Sequence, residues 1–396
     1  MKLLFVHDNR FIEHEGDHLT VGNITSTTWK RFLPHVEHIH VVARRNEPDP
    51  KLDIGRLNQA SHPRVSFELV DRPPYHRFEQ GWRTAYPILE ANIKKADAVV
   101  GRIPSFLGNL ACEIAAKQGK PVAGEIIACP WGSMWHYGGM KGKVMAAREY
   151  IRLRRLIKRL DLAVYVTSEY LQKRYPTQSK TAVASNVELL RPPEGLLEAR
   201  LERQKTPPKP LRLGQIGSLA NHIKGWETGV EATAELKAAG VEVVYEILGA
   251  GDPEIARSYA AKFGVENEVR PIGTIAGGGP VLEWLDTLDL YIHPSRQEGL
   301  PRSVIEAMSR ALPCVCTPAG GTPELIDSNC LFEKNNPKQL AQRVQTMLGD
   351  PALLHEQSRT NFERAANFYI DHLEAHRDKV WGDYFASVRK RLGMPG

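Results

Sequence analysis

HPSRQEGLPRSVIEAM, residues 293–308, sets two carboxylates beside a helix start built to meet an anion. Glu298 lies in a loop just after the apolar, strand-like run Leu288–His293. Gly299 lets the backbone approach a ligand closely, and Pro301 fits the first turn of the helix that follows. The free N–H groups of that turn, with the helix dipole behind them, form an anion site. Glu306, eight positions after Glu298, lies one to two turns into the helix and can point back into the same crevice. Carboxylates accept hydrogen bonds from hydroxyl groups. One at a helix mouth and one on its flank, around an anion site, suit a sugar on a diphosphate next to a ribose. Two glutamates at this separation also occur by chance, and a surface helix routinely carries one, so the neighbouring segments decide the matter.

Upstream, LGQIGSLANHIKGWETGVEA (213–232) reads as a strand ending in Gly217, a short polar loop, and a helix opened by Lys224 and Gly225. That is the layout of a phosphate loop, with Lys224 able to place a positive charge on a departing diphosphate. YEILGAGDPE (245–254) puts Gly249 and Gly251 just past another strand, and RPIGTIAGGGPVLEWL (270–285) follows with Gly273, Thr274 and Ile275 after a third. Downstream come the strand-like LPCVCTP and the turn AGGTPELI, residues 312–326.

These segments belong to a longer alternation. The first half offers strands at Leu3–His7, His38–Ala43, Val65–Val70, Ala98–Arg102 and Leu162–Thr167, with helices at Phe106–Gln118 and Lys141–Leu160. The second half restarts the pattern at Leu211–Ile216 and continues through a helix near 226–239 and strands at Val241–Leu248, Val269–Ile272, Leu288–His293 and Cys314–Thr317. Alternation of this kind predicts two doubly wound α/β domains with parallel sheets. RPPEGLLEARLERQKTPPKP, 191–210, has prolines at both ends and charges between, and reads as the linker. The expected domains are therefore 1–190 and 211–370. A final helix over 371–396, with Val380, Trp381, Tyr384, Phe385 and Val388 at helical spacing, suits a return to the first domain.

At 396 residues the chain is comfortable for two domains, and 42% hydrophobic with 25% charged residues is a globular composition rather than a disordered one. A net charge of +6 fits an anionic substrate or membrane surface and gives no indication of nucleic acid. Five cysteines without framework spacing point to reduced thiols in a cytosol; Cys314 and Cys316 read as core, and no metal set is evident. MKLLFVHDNRF reads as a first strand followed by a loop, not a signal peptide. The expected location is the cytoplasm, with contact at most to the inner face of the plasma membrane.

Segments 213–326, in this order, resemble the E-x7-E signature region of family-4 retaining glycosyltransferases, which have the two-lobed GT-B fold; before residue 213 the resemblance is architectural. It implies two Rossmann-like domains facing across a cleft and transfer of a sugar from a nucleotide diphosphate to a hydroxyl, with retention and without metal or cofactor. Glu298 and Lys224 would be the catalytic residues. Glu306 would clamp the ribose, and Gly217, Ser218, Gly249, Gly251, Gly273, Thr274, Ile275, Gly299, Leu300 and Pro301 would line the donor site. The family usually has an arginine where Ser218 stands, so Arg10, Arg102, Arg296 or Arg302 would have to neutralise the second phosphate charge. A UDP- or GDP-linked donor and a glycan or lipid-linked acceptor of bacterial surface polysaccharide are the implied substrates. A nucleotide-sugar epimerase and a non-catalytic two-lobed binding protein are the alternatives.

On the first half, Arg10, Arg102, Trp131 and His136 are acceptor-side candidates. CPWGSMWHYGGMKG, 129–142, reads as a glycine-rich loop whose aromatics either stack on a sugar or pin the loop itself. KGKVMAAREYIRLRRLIKRL, 141–160, reads as a basic helix with Leu153, Leu156, Ile157 and Leu160 on its apolar side. It suits a solvated face over a core or, alternatively, an anionic membrane.

Overall fold

A computed structural model describes residues 1–22, 24–46, 54–71, 78–137, 139–187 and 189–395, apart from the side chains of 56, 78–81, 133, 136 and 137. The chain divides into two compact units, Met1–Ala184 with Glu374–Gly396, and Ser185–Leu373.

Among the described residues, the first unit holds β1 (Lys2–His14), β2 (Asp17–Thr20), β3 (His38–Arg45), β4 (Asn58–Gln59), β5 (Val65–Val70), β6 (Ala98–Ile103), β7 (Val122–Ile126), β8 (Leu162–Tyr165) and β9 (Lys180–Val183). Seven of them run parallel in the order β5-β3-β1-β6-β7-β8-β9. The far end of β1 turns out to pair antiparallel with β2, which pairs with β4. HDNRF is therefore not the expected loop. It is strand, carried through a register shift between Val6 and Arg10. β7 was not foreseen; Gly124 and Glu125 interrupt its apolar run, yet the whole strand is buried. The core unites strand residues such as Phe5, Val41 and Val100 with Trp381, Tyr384, Phe385 and Val388 of the last helix, Ile370–Leu392.

The second unit holds β10 (Leu211–Ile216), β11 (Val243–Leu248), β12 (Val269–Gly273), β13 (Leu290–His293) and β14 (Cys314–Cys316). They are all parallel, in the order β12-β11-β10-β13-β14. The order reverses between β10 and β13, and open α/β sheets bind ligands beyond the carboxyl ends of strands at such a point. The expected linker, 191–210, belongs to this unit instead. Leu196–Lys205 is a helix fixed by Arg203 on Asp289 (2.7 Å) and Gln204 on Ser358 (2.8 Å). Buried Arg200 donates to the Leu288 carbonyl. Its charges looked like linker composition because three of its polar side chains serve as packing anchors.

All five cysteines are free and buried. No helix among the described residues is long and apolar enough to cross a membrane.

Candidate active site

Three turns meet beyond the carboxyl ends of the second unit's strands. Gly217 N donates to the Leu248 carbonyl (2.9 Å), Leu219 N to Ala250 (2.8 Å) and Gly249 N to Gly273 (2.7 Å), so the turns after β10, β11 and β12 are joined by their backbones. A side chain on Gly249 would lie 2.3 Å from the Gly217 carbonyl, so this junction admits only glycine. Gly251 sits in the same turn, packed on Leu219. Thr274 and Ile275 follow β12 and are exposed to solvent. Ser218 is turned onto the neighbouring turn after β11, its hydroxyl donating to the Ala250 carbonyl (2.8 Å).

The loop carrying Lys224 is stitched to the loop after β13. Arg296 N donates to the Ile223 carbonyl (2.7 Å), and the Ser295 hydroxyl donates to the same oxygen (3.1 Å). Gln215 holds the Lys224 carbonyl from below at 2.8 Å. The outcome is one contact: Lys224 Nζ lies 2.8 Å from Glu298 Oε1. His293, the last residue of β13 and fully buried, brings Nε2 to 3.0 Å from that same oxygen. Its Nδ1 has no hydrogen-bond partner among the described residues, and because an ionised Glu298 can only accept, Nε2 is the donor. Both donors fall on Oε1, and Oε2 has no hydrogen bond among the described residues. Burial opposes the charge on Glu298, yet Lys224 and His293 hold its carboxyl well below the usual carboxylate range. A charged carboxylate with one oxygen anchored and one available is a fixed acceptor for a hydroxyl group.

The backbone beneath Glu298 is equally constrained. Gly320, at φ +61°, packs so closely that a Cβ there would lie 2.1 Å from the Glu298 carbonyl oxygen. Gly321 N donates to the Gly299 carbonyl (2.7 Å). Leu300 packs on the core and Pro301 is buried, so Gly299–Pro301 forms a rigid lead into the helix Arg302–Ser309. Pro301 is the residue before the helix rather than in its first turn, and no side chain caps that start. Val304, Ile305 and Met308 anchor the helix in the core. Glu306 is half-buried one turn in; burial raises its pKa, and Arg302 four residues earlier counteracts this.

The arginines expected to replace the missing one at Ser218 are separated by their surroundings. Arg296 is committed to the Asn335 side chain (2.6 Å) and the His222 carbonyl (2.7 Å), bracing the Lys224 loop. Arg102 is buried in the first unit with Glu125, which Arg31 also contacts at 3.0 Å. Arg10 is exposed on β1. Arg302 stands at the uncapped helix start, its buried Nε without a hydrogen-bond partner among the described residues.

The other acceptor-side expectations change character. Trp131 opens a helix, Trp131–Tyr137, where a glycine-rich loop was expected. It stacks on Trp135 at 5.1 Å and meets Tyr150 edge-on at 5.6 Å, so these aromatics pin their own segment. The side chain of His136 lies outside the described residues. Sequence reasoning missed His293, Gln215 and the Gly320–Gly321 pair. The signal for His293 was available: a polar residue ending an apolar strand at a carboxyl edge.

Residues 210–350 match the family model described as glycosyl transferases group 1. Protein CapJ of Staphylococcus aureus is 26% identical over 390 residues, covering 97% of this chain and 96% of CapJ. WcaL of Escherichia coli K12, named as a colanic acid biosynthesis glycosyltransferase, is 33% identical over 150 residues, 35% of this chain and 36% of WcaL. Among solved structures, Anabaena HepE in complex with UDP superposes with a TM-score of 0.66 at 15% identity, covering 97% of this chain and 100% of HepE. The chain has the GT-B fold, and residues 210–350, all within its second unit, are the part that matches the glycosyl transferases group 1 model.

Proposed function

We propose that the chain is a retaining glycosyltransferase that moves a sugar from a nucleotide diphosphate to a hydroxyl of a glycan or lipid-linked acceptor, without a metal. The observation that carries this reading is Glu298: anchored through one oxygen by Lys224 and His293, open at the other, and adjacent to an uncapped helix start. Glu298 Oε2 accepts from a hydroxyl of the donor sugar. The first N–H groups of the helix Arg302–Ser309, with Lys224 and Arg302, hold the diphosphate, and Glu306 takes the ribose hydroxyls. The bond between the anomeric carbon and the diphosphate oxygen breaks while the acceptor oxygen bonds that carbon from the same face. The acceptor proton leaves on the departing diphosphate, so no protein base is required.

HepE was solved with UDP, which makes UDP the first nucleotide to test, with GDP beside it. The likeness to WcaL supports surface polysaccharide synthesis as the setting. The test is nucleotide release from a UDP- or GDP-sugar with and without glycan acceptors. Release only when acceptor is added, unchanged after dialysis against a chelator, is the expected result. Release without acceptor would indicate an epimerase or hydrolase instead. Donor binding without release under any condition would indicate a binding protein.

A further inference from the structure

The helix Gly139–Ile157 in the first unit has three surfaces, and only one of them is accounted for by folding. Ala146, Leu153, Leu156 and Ile157 are buried, so the apolar side visible in the sequence is core. A second apolar set remains in water: Met140 is 75% exposed, Val144 67% and Ile151 48%. Positions 140, 144 and 151 share one stripe of a helix, so these are not scattered residues but a row. Alongside runs a third surface, Arg148, Arg152 and Arg155, continued by Arg159 in the turn after the helix. Together with Lys117 of the helix Phe106–Lys117, these arginines line a groove of about 600 Å³.

Charge in that groove is poorly compensated. Glu113 and Glu149 both pair with Arg152, at 2.6 Å and 3.5 Å. Lys117, Arg148, Arg155 and Arg159 have no ion pair among the described residues. Like charges at this spacing repel, and an anion that enters relieves the repulsion. Arginine's planar fork suits phosphate oxygens in particular. Arg154, by contrast, lies over the Tyr150 ring (5.6 Å) away from the groove.

We propose that this face docks on an anionic lipid surface, with Met140, Val144 and Ile151 entering the headgroup boundary and the arginine groove taking lipid phosphates. Apolar and cationic rows side by side on a helix too polar to cross a bilayer are what an interfacial helix presents. No residue of the Glu298 site takes part, so the proposal stands or falls apart from the transfer reaction.

The test is sedimentation of the full chain with phosphatidylcholine vesicles, with and without phosphatidylglycerol. Binding should require phosphatidylglycerol and fade as salt rises, because the attraction reaches only about 10 Å at moderate ionic strength. The triple variant Arg148→Gln, Arg155→Gln, Arg159→Gln should bind roughly a hundredfold more weakly, from the usual contribution of each basic residue near such a surface. Its lysine counterpart should retain most binding, and a parental melting temperature in both would show that they fold. Met140→Ser with Val144→Ser and Ile151→Ser should also weaken binding. Equal binding to both vesicle types, or full binding by the glutamine variant, would overturn the proposal. So would displacement by soluble glycerol phosphate at matched phosphate concentration, which would assign the groove to free phosphate esters.

Discussion

Each unit places a helix start at the point where its strand order reverses, and the two starts are finished differently. In the first unit the helix Phe106–Lys117 follows β6, and Phe106 N and Leu107 N both donate to the Asp8 carboxylate. The Ser105 hydroxyl accepts from Gly108 N (3.0 Å), and Arg44 holds Asp8 at 2.9 Å. In the second unit the helix Arg302–Ser309 follows β13 with no side-chain cap from Pro301, and no side chain among the described residues bonds its first N–H groups. The same backbone device is filled in one unit by the chain's own carboxylate and left open in the other. A helix start at a switch point is thus not itself a ligand site. On the proposed reading it becomes one when the sequence withholds an acid there and supplies fixed charges nearby, the part given to Lys224 and Glu298.

The comparison can be broken most sharply at Lys224. Lys224→Ala should reduce turnover by roughly two orders of magnitude, the usual cost of removing one preorganised stabilising group. Near-normal rates in steady-state assays would mean that the open helix start and Arg302 hold the diphosphate without Lys224. A smaller effect is expected at His293. His293→Leu removes one of the two donors on Glu298 Oε1 and should lower kcat by about tenfold or more, as lost hydrogen bonds to charged groups do. His293→Gln, which can place an N–H near the former Nε2, should recover much of that. Failure of the glutamine variant together with a lowered melting temperature would make His293 a packing residue only.

The first unit offers the converse experiment. Asp8→Ala uncovers its helix start, and the lost cap should cost about 1–2 kcal/mol in denaturant unfolding of that unit. Nucleotide affinity should not change. New nucleotide affinity in the Asp8 variant would show that any vacated helix start suffices, and the distinction drawn above would fail. The smallest effect concerns Glu306. Its folded-state pKa is raised, so it disfavours the folded state when charged, and stability is lost as pH rises through the interval between its unfolded and folded values. Glu306→Gln should therefore raise the melting temperature slightly at neutral pH, with the gain disappearing as pH falls below the ordinary carboxylate range. A pH-independent difference would locate the effect in packing.

Legibility followed locality. The strands and helices of 211–326 could be read because apolar runs, glycine turns and helix starts are local features, and Lys224 and Glu298 could be assigned to one site because both follow adjacent strands. Arg200 and Arg203 misled because their partners, Leu288 and Asp289, lie more than eighty residues away. Asp8 was placed in a loop after the first strand, and its role as a cap depends on Phe106, which local sequence does not reveal. The first half was harder throughout. Strand β1 is irregular, and β7 carries Glu125, which is buried against Arg31 and Arg102 and breaks the apolar run that would have marked the strand.

The central claim is that Glu298 acts on the reacting sugar while Glu306 holds the nucleotide, and it is tested most directly by comparing Glu298→Ala and Glu306→Ala in two assays. One is equilibrium binding of UDP and GDP; the other is donor turnover at saturating nucleotide sugar. Ribose contacts are equal in ground and transition states, whereas contacts at the sugar strengthen as its bond to the diphosphate breaks. Glu306→Ala should lose nucleotide affinity, while Glu298→Ala should keep it and lose turnover. Equal loss of affinity in both variants, or full turnover in Glu298→Ala, would contradict the account.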